Sequence, residues 1–586
     1  MTGPCPRVPR VAIIGGGPSA IYALKRLIAS ENPLAITIFE AGERVGVGTP
    51  YNRERNSPAM LANIASIELP SVCETLLDWL QRLPAARRRA LEIEDKSLCE
   101  RHFFPRVVLG EYFAAQFTIL MDQGAARGHT LTPQTSTTVS DVIAHAGGVW
   151  VTSDAAHQSG VHAFDHAILA TGHSAPQVRP DATFAVQRSC PVGSAPGTTR
   201  LGVLGTSLSA IDVAIDHALR IGTFETEGGD LRFVPTPGGD LSHSPLITMM
   251  SRGGLLPEAD FFCPIPYEAL DLFTRECLAG IVRGDDGDLD QVFALFAAQL
   301  ERLDPQFLAS LGPACTTPEA FADRYAQRRS IFDPFEWAKG NLLEAHYNAR
   351  HARTVPWRYA LLRMHEPFGE IVKHLSPVDR DRFNRSLKRV FVDNYAAVPP
   401  LSIQRLLALH EVGVLVISAI GADYAIDWDE INARWCVSAR GSRLYFDRII
   451  DARGQAPVGQ EEFPFPTLRM QIRAQAIASA ESLDEIATGR GFELGQPGNP
   501  LERVHCLSLP FLLSRNPFIQ GLTAAEELGT SAAHAILTAI AAPQEADGKS
   551  RLEEALVSLG GRTIYLFTDN GSLILNAPPF FESGEP

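Results

Sequence analysis

The chain has 586 residues and a formal net charge of −15 at neutral pH, with 45% hydrophobic and 20% charged residues. At a prior of ~150 residues per folding unit, the length points to three or four units. The acidic balance argues against a nucleic-acid binder, which needs a basic face, and no run of eighteen or so apolar residues offers a transmembrane helix.

Nine cysteines, Cys5, Cys73, Cys99, Cys190, Cys263, Cys277, Cys315, Cys436 and Cys506, carry no C-x-x-C spacing. That disfavours a disulfide framework and a zinc site and suits a reducing cytoplasm. The N-terminus MTGPCPRVPR, with three prolines, leads directly into the first strand, so no signal peptide is expected. The expected setting is cytoplasmic, with no membrane and no nucleic acid as partner.

VAIIGGGPSA, Val11 to Ala20, reads as a buried parallel strand, a glycine turn and a helix start. Gly15 and Gly17 permit a tight turn close to a ligand, Pro18 and Ser19 belong to the expected cofactor-binding loop, Ser19 to Ile28 has helical periodicity, and Ala20 lets that helix approach the sheet. The helix N-terminus favours a pyrophosphate. A second strand, Ala35 to Phe39, ends on Glu40, whose carboxylate can accept from a ribose hydroxyl. AGERVGVGTPY follows, with Gly46 and Gly48 in a second flexible loop running through Thr49 to Tyr51, and then LANIAS, Leu61 to Ser66.

Helices are expected from about Glu74 to Leu83 and from Phe103 to about Met121, with the run Arg87 to Arg89 on a solvated face. Alternation from Thr137 to Thr152 predicts a small antiparallel insertion. In DHAILATGH, a short apolar strand ends at Thr171 and Gly172, followed by His173.

LGVLGTSLSAIDVAIDHAL, Leu201 to Leu219, repeats the strand, turn and helix pattern, with Gly205, Ser207 and Ser209 as a variant glycine loop. Asp212 is expected in the first helical turn, where it would complement the dipole. The strand Leu246 to Met250 ends on Ser251 and Arg252, and an arginine there suits a 2′-phosphate.

From about Pro257 to Pro400 helical patterns dominate: Tyr267 to Arg283, Leu289 to Leu303, Pro318 to Tyr325, Phe335 to Ala352, Trp357 to Leu362 and Pro377 to Phe391. A helix, Leu401 to His410, a strand, Val414 to Ile420, and an alternating stretch, Trp428 to Val437, follow. RIIDARGQAP then runs a strand into Gly454, mirroring DHAILATGH. Gly521 precedes a final alanine-rich helix, whose Ala524 to Ala539 stripe reads as helix packing. A short helix, Leu552 to Leu559, and a hairpin, Thr563 to Leu575, end the chain with no chemistry assigned.

Together these motifs resemble the two-dinucleotide flavoproteins, and in particular the bacterial FAD/NAD(P)-binding family of FAD-dependent urate hydroxylases and nitrosuccinate-forming aspartate N-monooxygenases. One departure is Ala62, where a second leucine is usual. The expected fold class is α/β, with two Rossmann-like dinucleotide-binding domains and a helical insertion. The expected domains are 1–197 and 458–541 for FAD, 198–257 and 401–457 for NAD(P)H, 258–400 as the insertion and probable substrate region, and 542–586 as a tail.

The resemblance implies FAD at Gly15, Gly17, Ala20 and Glu40, with Gly46 to Tyr51 and Asn63 near the flavin. It implies NADPH, or NADH, at Gly205, Ser207, Ser209 and Arg252. Thr171, Gly172, Gly454 and Gly521 complete the cofactor set, and Asn63 is the candidate catalytic residue, donating a hydrogen bond. No metal site is expected. His102, His173, His365 and His410 stand isolated, and His346 with His351 lacks the spacing of a helical metal pair.

The expected activity is that of an NADPH-consuming monooxygenase, which uses dioxygen to hydroxylate a small polar substrate through a flavin hydroperoxide, most simply at an amine nitrogen. Alternatives are an NAD(P)H-dependent flavin oxidase or reductase, a ring hydroxylase of a purine-like heterocycle, and a non-enzymatic flavin-carrying sensor. An anionic substrate would need a cationic clamp, for which Arg328, Arg329, Lys339, Arg353 and Arg358 are candidates.

Overall fold

The computed structural model describes residues 7–155, 158–172, 199–236, 245–281, 287–454, 457–479, 482–483, 485–542, 566–569 and 572–575. The first strand, β1 (Arg10–Ile14), is apolar on both faces because both are covered. Val11 and Ile13 enter one core, while Ala12 and Ile14 enter another. Helix α1 (Pro18–Leu27) has proline at its start, where a missing N–H costs nothing. Strand β2 (Ala35–Phe39) pairs in parallel with β1.

Helices α2 (Leu76–Arg82), α3 (Ala85–Ala90) and α4 (Arg106–Ala126) follow. Thr75 caps α2 by accepting from Asp78 N at 3.1 Å. Strand β3 (Thr130–Gln134) extends the parallel sheet beyond β2. The alternating stretch forms an antiparallel meander of β4 (Thr137–His145), β5 (Gly148–Ala155) and β6 (Gln158–Phe164). Strand β7 (His166–Leu169) then returns beside β1.

The second half begins with β8 (Leu201–Leu204) and α5 (Leu208–Ala218), then a hairpin of β9 (Gly222–Glu227) and β10 (Asp230–Pro235), and β11 (Ile247–Ser251). Helices α6 (Arg275–Ile281), α7 (Leu289–Leu303), α8 (Pro305–Ser310), α9 (Pro318–Ser330), α10 (Pro334–Arg350), α11 (Pro356–Val372), α12 (Pro377–Arg385) and α13 (Leu387–Tyr395) come next. Several depart from expectation: α8 is additional, and α9 runs on past Tyr325 to Ser330. Helix α6 is shorter at its start because the N–H groups of Leu272 and Phe273 donate to Gln299 Oε1, at 2.9 and 3.1 Å, instead of to a helical ladder. Helix α11 continues to Val372 through an internal proline, Pro367. The stretch Pro377 to Phe391 is two helices, broken at Ser386.

Helix α14 (Pro400–Glu411) and β12 (Leu415–Ala419) lead to a second meander, β13 (Tyr424–Asp429), β14 (Arg434–Ala439) and β15 (Ser442–Phe446), and to β16 (Arg448–Asp451). The single alternating stretch at Trp428 is a hairpin, turned where Asp429 Oδ1 accepts from the N–H of Ile431 and Asn432. The order β12-β11-β8-β16 makes a second all-parallel sheet.

The chain then returns to the first sheet through α15 (Pro466–Ala478), β17 (Val504–Cys506), α16 (Leu509–Leu512) and α17 (Gly521–Ala541). Strand β17 pairs with β7, giving the order β17-β7-β1-β2-β3. Helix α17 packs on α1 so closely that a Cβ at Gly529 would lie 2.6 Å from Ala23 N. Its buried alanines, Ala524, Ala525, Ala532 and Ala533, are packing residues. The end hairpin, β18 (Leu566–Asp569) and β19 (Ser572–Leu575), adds to the first meander at Leu573 and Val161. Leu552 to Leu559 and His173 lie outside the described residues.

The helices between β11 and α14 bury a phenylalanine-rich core of their own, including Phe273, Phe296, Phe321, Phe368 and Phe391. Phe518, just before α17, packs into that core against Phe383 and Phe391, with ring centroids at 5.9 and 5.4 Å. Helix α10 is the exception: Phe335, Ala338, Leu342 and Ala345 join the core under the second sheet.

Candidate functional site

Both parallel sheets end their strands on glycine turns, as the sequence pattern requires. At the first, Gly15 holds φ +100°, and a Cβ there would sit 2.2 Å from Ala170 O. Only glycine lets the β1 turn pass the end of β7. The second glycine loop is braced against this one: Gly46 N donates to Gly16 O at 2.7 Å, and a Cβ on Gly48 would lie 2.9 Å from Pro18 Cδ. Glu40 is oriented by two backbone donors, Gly16 N at 2.8 Å and Gly42 N at 2.7 Å. Each carboxylate oxygen accepts one of these bonds, and Glu40 lines the cleft.

That cleft has a volume of about 1660 Å³. Its wall brings together Gly15, Gly17, Pro18, Ser19, Glu40, Gly48, Thr49, Tyr51, Thr171, Gly172 and Gly521. Gly521 starts α17 at φ +84° with open space around it, so the N-terminus of that helix opens on the cleft. Burial pushes the Tyr51 hydroxyl up to about 12, so it stays a neutral donor. Thr171 Oγ1 and Ser508 Oγ share a hydrogen bond of 2.7 Å, tying the end of β7 to the segment after β17. Three expected residues are not in the wall. Ala20 is on the buried face of α1, Gly46 braces the loops, and Asn63 follows Ala62, whose N–H donates to Phe104 O. The amide oxygen of Asn63 is buried and has no partner among the described residues.

At the second turn, Gly205 holds φ +118° and a Cβ would lie 3.1 Å from Ala452 O. Gly205 N donates to Met250 O at 2.7 Å. Thr206 Oγ1 donates to Leu255 O at 2.6 Å, leaving Ser207 and Ser209 exposed at the start of α5. Arg252 is exposed at the end of β11, and its carbonyl accepts from Gly421 N at 3.2 Å. A Cβ on Gly421 would lie 3.4 Å from Arg440 Nε, so Arg440, which sequence reasoning missed, reaches the same sheet edge. Neither arginine has an acidic partner among the described residues. Gly454 is exposed with open space around it. None of these residues lines the first cleft.

Asp212 is not in the first turn of its helix, which begins at Leu208. Its carboxylate reaches instead to Arg106 of α4 at 2.6 Å. Three of the five candidate clamp cations are also committed elsewhere. Arg328, Arg329 and Arg358 surround the buried Glu258, at 3.3, 3.9 and 3.4 Å. They hold its carboxyl below the ordinary range although burial opposes them. Arg328 also lies over the rings of Trp337 and Trp357, at 5.2 and 4.6 Å. The charges of these three are engaged by Glu258, while Lys339 and Arg353 are exposed. His365 packs between Tyr395 and Phe518, and His410 stacks on Phe335. His102 packs against Phe104. Among the described residues no group of three His, Cys, Asp or Glu side chains could hold a metal.

Two parallel sheets, each ending at a glycine-turned helix start, define an α/β protein of two Rossmann-like domains. The first is a FAD-NAD(P)-binding domain: residues 12–174 match the family model of that description. Residues 274–395 match the YdhS-like middle domain. The chain is 39% identical over 536 residues to the uncharacterized protein YdhS of Escherichia coli (strain K12), covering 90% of this chain and 97% of that one. The chain belongs to the YdhS family. Among solved structures it is similar to the ornithine hydroxylase PvdA from Pseudomonas aeruginosa, at TM-score 0.47 and 13% identity over 90% of this chain and all of the other. It is also similar to the ornithine N-hydroxylase of Kutzneria sp. 744, at TM-score 0.43 and 12% identity over 91% and 99%.

Proposed function

We propose that this protein is a FAD-dependent, NADPH-consuming monooxygenase that hydroxylates a small polar substrate, an amine or amino acid nitrogen being the simplest acceptor. The observation that carries the reading is the pairing of two glycine-turned sites in one chain. The first cleft fits FAD: its loops carry glycine where a Cβ would collide, and Glu40 lines it. When bound, FAD supplies the passage of an electron pair from the nicotinamide to dioxygen.

Gly15, Gly17 and the start of α1 would hold the pyrophosphate, and Glu40 would accept from the ribose. The start of α17 at Gly521 would favour negative charge on the reduced ring. Ser207 and Ser209 present hydroxyls and backbone N–H groups to a second dinucleotide, with Arg252 at its 2′-phosphate. The helical insertion, tied through Phe518 to the segment before Gly521, would wall the substrate and keep water out.

The test is NADPH oxidation by the purified yellow protein across panels of amines, amino acids and purines, with hydrogen peroxide and hydroxylated product both measured. Substrate-stimulated turnover with product matching NADPH supports the reading. Stoichiometric hydrogen peroxide under every substrate makes the protein an oxidase, and turnover on a purine makes it a ring hydroxylase.

A further inference from the structure

The segment just before Asn63 is held from both domains at once. Arg106, the first residue of α4, donates from its backbone N to Met60 O at 2.8 Å and from Nε to Leu61 O at 3.2 Å. Its Nη2 meets Asp212 Oδ2 of α5 at 2.6 Å. Arg405 of α14 donates to Ala59 O at 2.8 Å, and Ala59 packs on the core under the second sheet. Ala62 N completes the tie by donating to Phe104 O at 2.9 Å. A few residues therefore connect Asn63, on the first domain, to the helix that opens at Ser207 on the second.

Burial pushes the Asp212 carboxyl up to about 6, while Arg106 of the first domain and Arg405 of the second both pull it down.

We propose that Arg106, Asp212 and Arg405 form the joint that fixes the Asn63 segment in register with the second dinucleotide loop. They act as positioning residues for hydride passage, in which NADPH is oxidised to NADP⁺ and FAD is reduced to FADH⁻. This rests on the reading above that the two loops hold FAD and NADPH. None of the three touches the reacting atoms; Arg106 and Arg405 act through the carbonyls they hold, and Asp212 acts through Arg106.

The experiment compares the wild type with Asp212→Asn, Arg106→Lys and the charge-reversed pair Arg106→Asp with Asp212→Arg. Two readouts are taken: anaerobic bleaching of the flavin by saturating NADPH, and amide hydrogen exchange across 59–63 in protein stripped of cofactor. Asp212→Asn should slow saturated bleaching about tenfold or more, with NADPH affinity within about threefold and FAD content unchanged. Exchange across 59–63 should accelerate, and the reversed pair should recover neither loss, because an aspartate at 106 cannot donate to Leu61 O and an arginine at 212 would face Arg405. Arg106→Lys, which keeps the charge but not the fork to Leu61 O, should fall between. Wild-type bleaching and exchange in Asp212→Asn would overturn the joint, as would a loss confined to NADPH affinity. If wild-type flavin does not bleach with NADPH, the functional reading fails instead, and the exchange readout still decides whether the joint exists.

Discussion

Glu258→Gln separates a structural cluster from a substrate clamp. Glu258 is 4% exposed and is the shared counter-charge of Arg328, Arg329 and Arg358, whose side chains are 23%, 2% and 2% exposed. The substitution keeps the shape and removes the charge. Asp393, 2.5 Å from Arg329, and Asp260, which acts on Arg358, then face three guanidiniums. Removing one partner from a buried ionic cluster costs about 3–5 kcal/mol. Arg328 can draw on water, so the lower end, about 3 kcal/mol, is expected here. Urea slopes rise with chain size to about 3 kcal/mol/M and above, so the midpoint moves down by about 1 M or less. Urea unfolding followed by tryptophan fluorescence is the assay, since Trp337 and Trp357 lie against the cluster. A midpoint equal to wild type, together with tighter binding of an anionic substrate, would refute the reasoning and restore the clamp.

Gly529→Ala tests the α1–α17 contact. Helix propensity alone favours alanine by about 1 kcal/mol, but the new Cβ would sit 2.6 Å from Ala23 N, so a net loss of about 1–3 kcal/mol is expected in thermal unfolding. His166, buried beside His505 and Arg503, titrates down at about 3 by burial first and by those charges second. The unfolded chain takes up that proton near pH 6.5, so the stability held by the neutral ring is complete above that pH and is lost as pH falls toward 3. His166→Leu should flatten the melting temperature between those limits. Arg252→Ala and Arg440→Ala should each weaken binding of 2′,5′-ADP by about 1.5–3 kcal/mol in calorimetry while leaving 5′-AMP unchanged. Equal losses for both nucleotides would remove the 2′-phosphate role.

Local signals made the two sheets legible. Val11 to Ile14 and Leu201 to Leu204 are apolar strands closed by Gly15 and Gly205, and both carry the positive φ that their spacing implies. Leu289 to Leu303 is a helix with the bounds its periodicity gives. What escaped lies in contacts between distant residues. The destiny of Arg328 and Arg358 depends on Glu258, and that of Asp212 on Arg106, more than a hundred positions upstream. Arg440 reaches Gly421 because a meander folds back over the sheet end. The break at Ser386 was hidden because helical periodicity continues across it. No pattern of spacing along the chain encodes such pairings.

Anaerobic titration of the purified yellow protein with NADPH asks whether the two dinucleotide sites of this chain exchange electrons. The flavin's visible band should bleach fully with one NADPH per flavin, and the colour should return on admitting air. A flavin that keeps its colour under excess NADPH, or a protein that neither carries nor takes up FAD, would contradict that exchange.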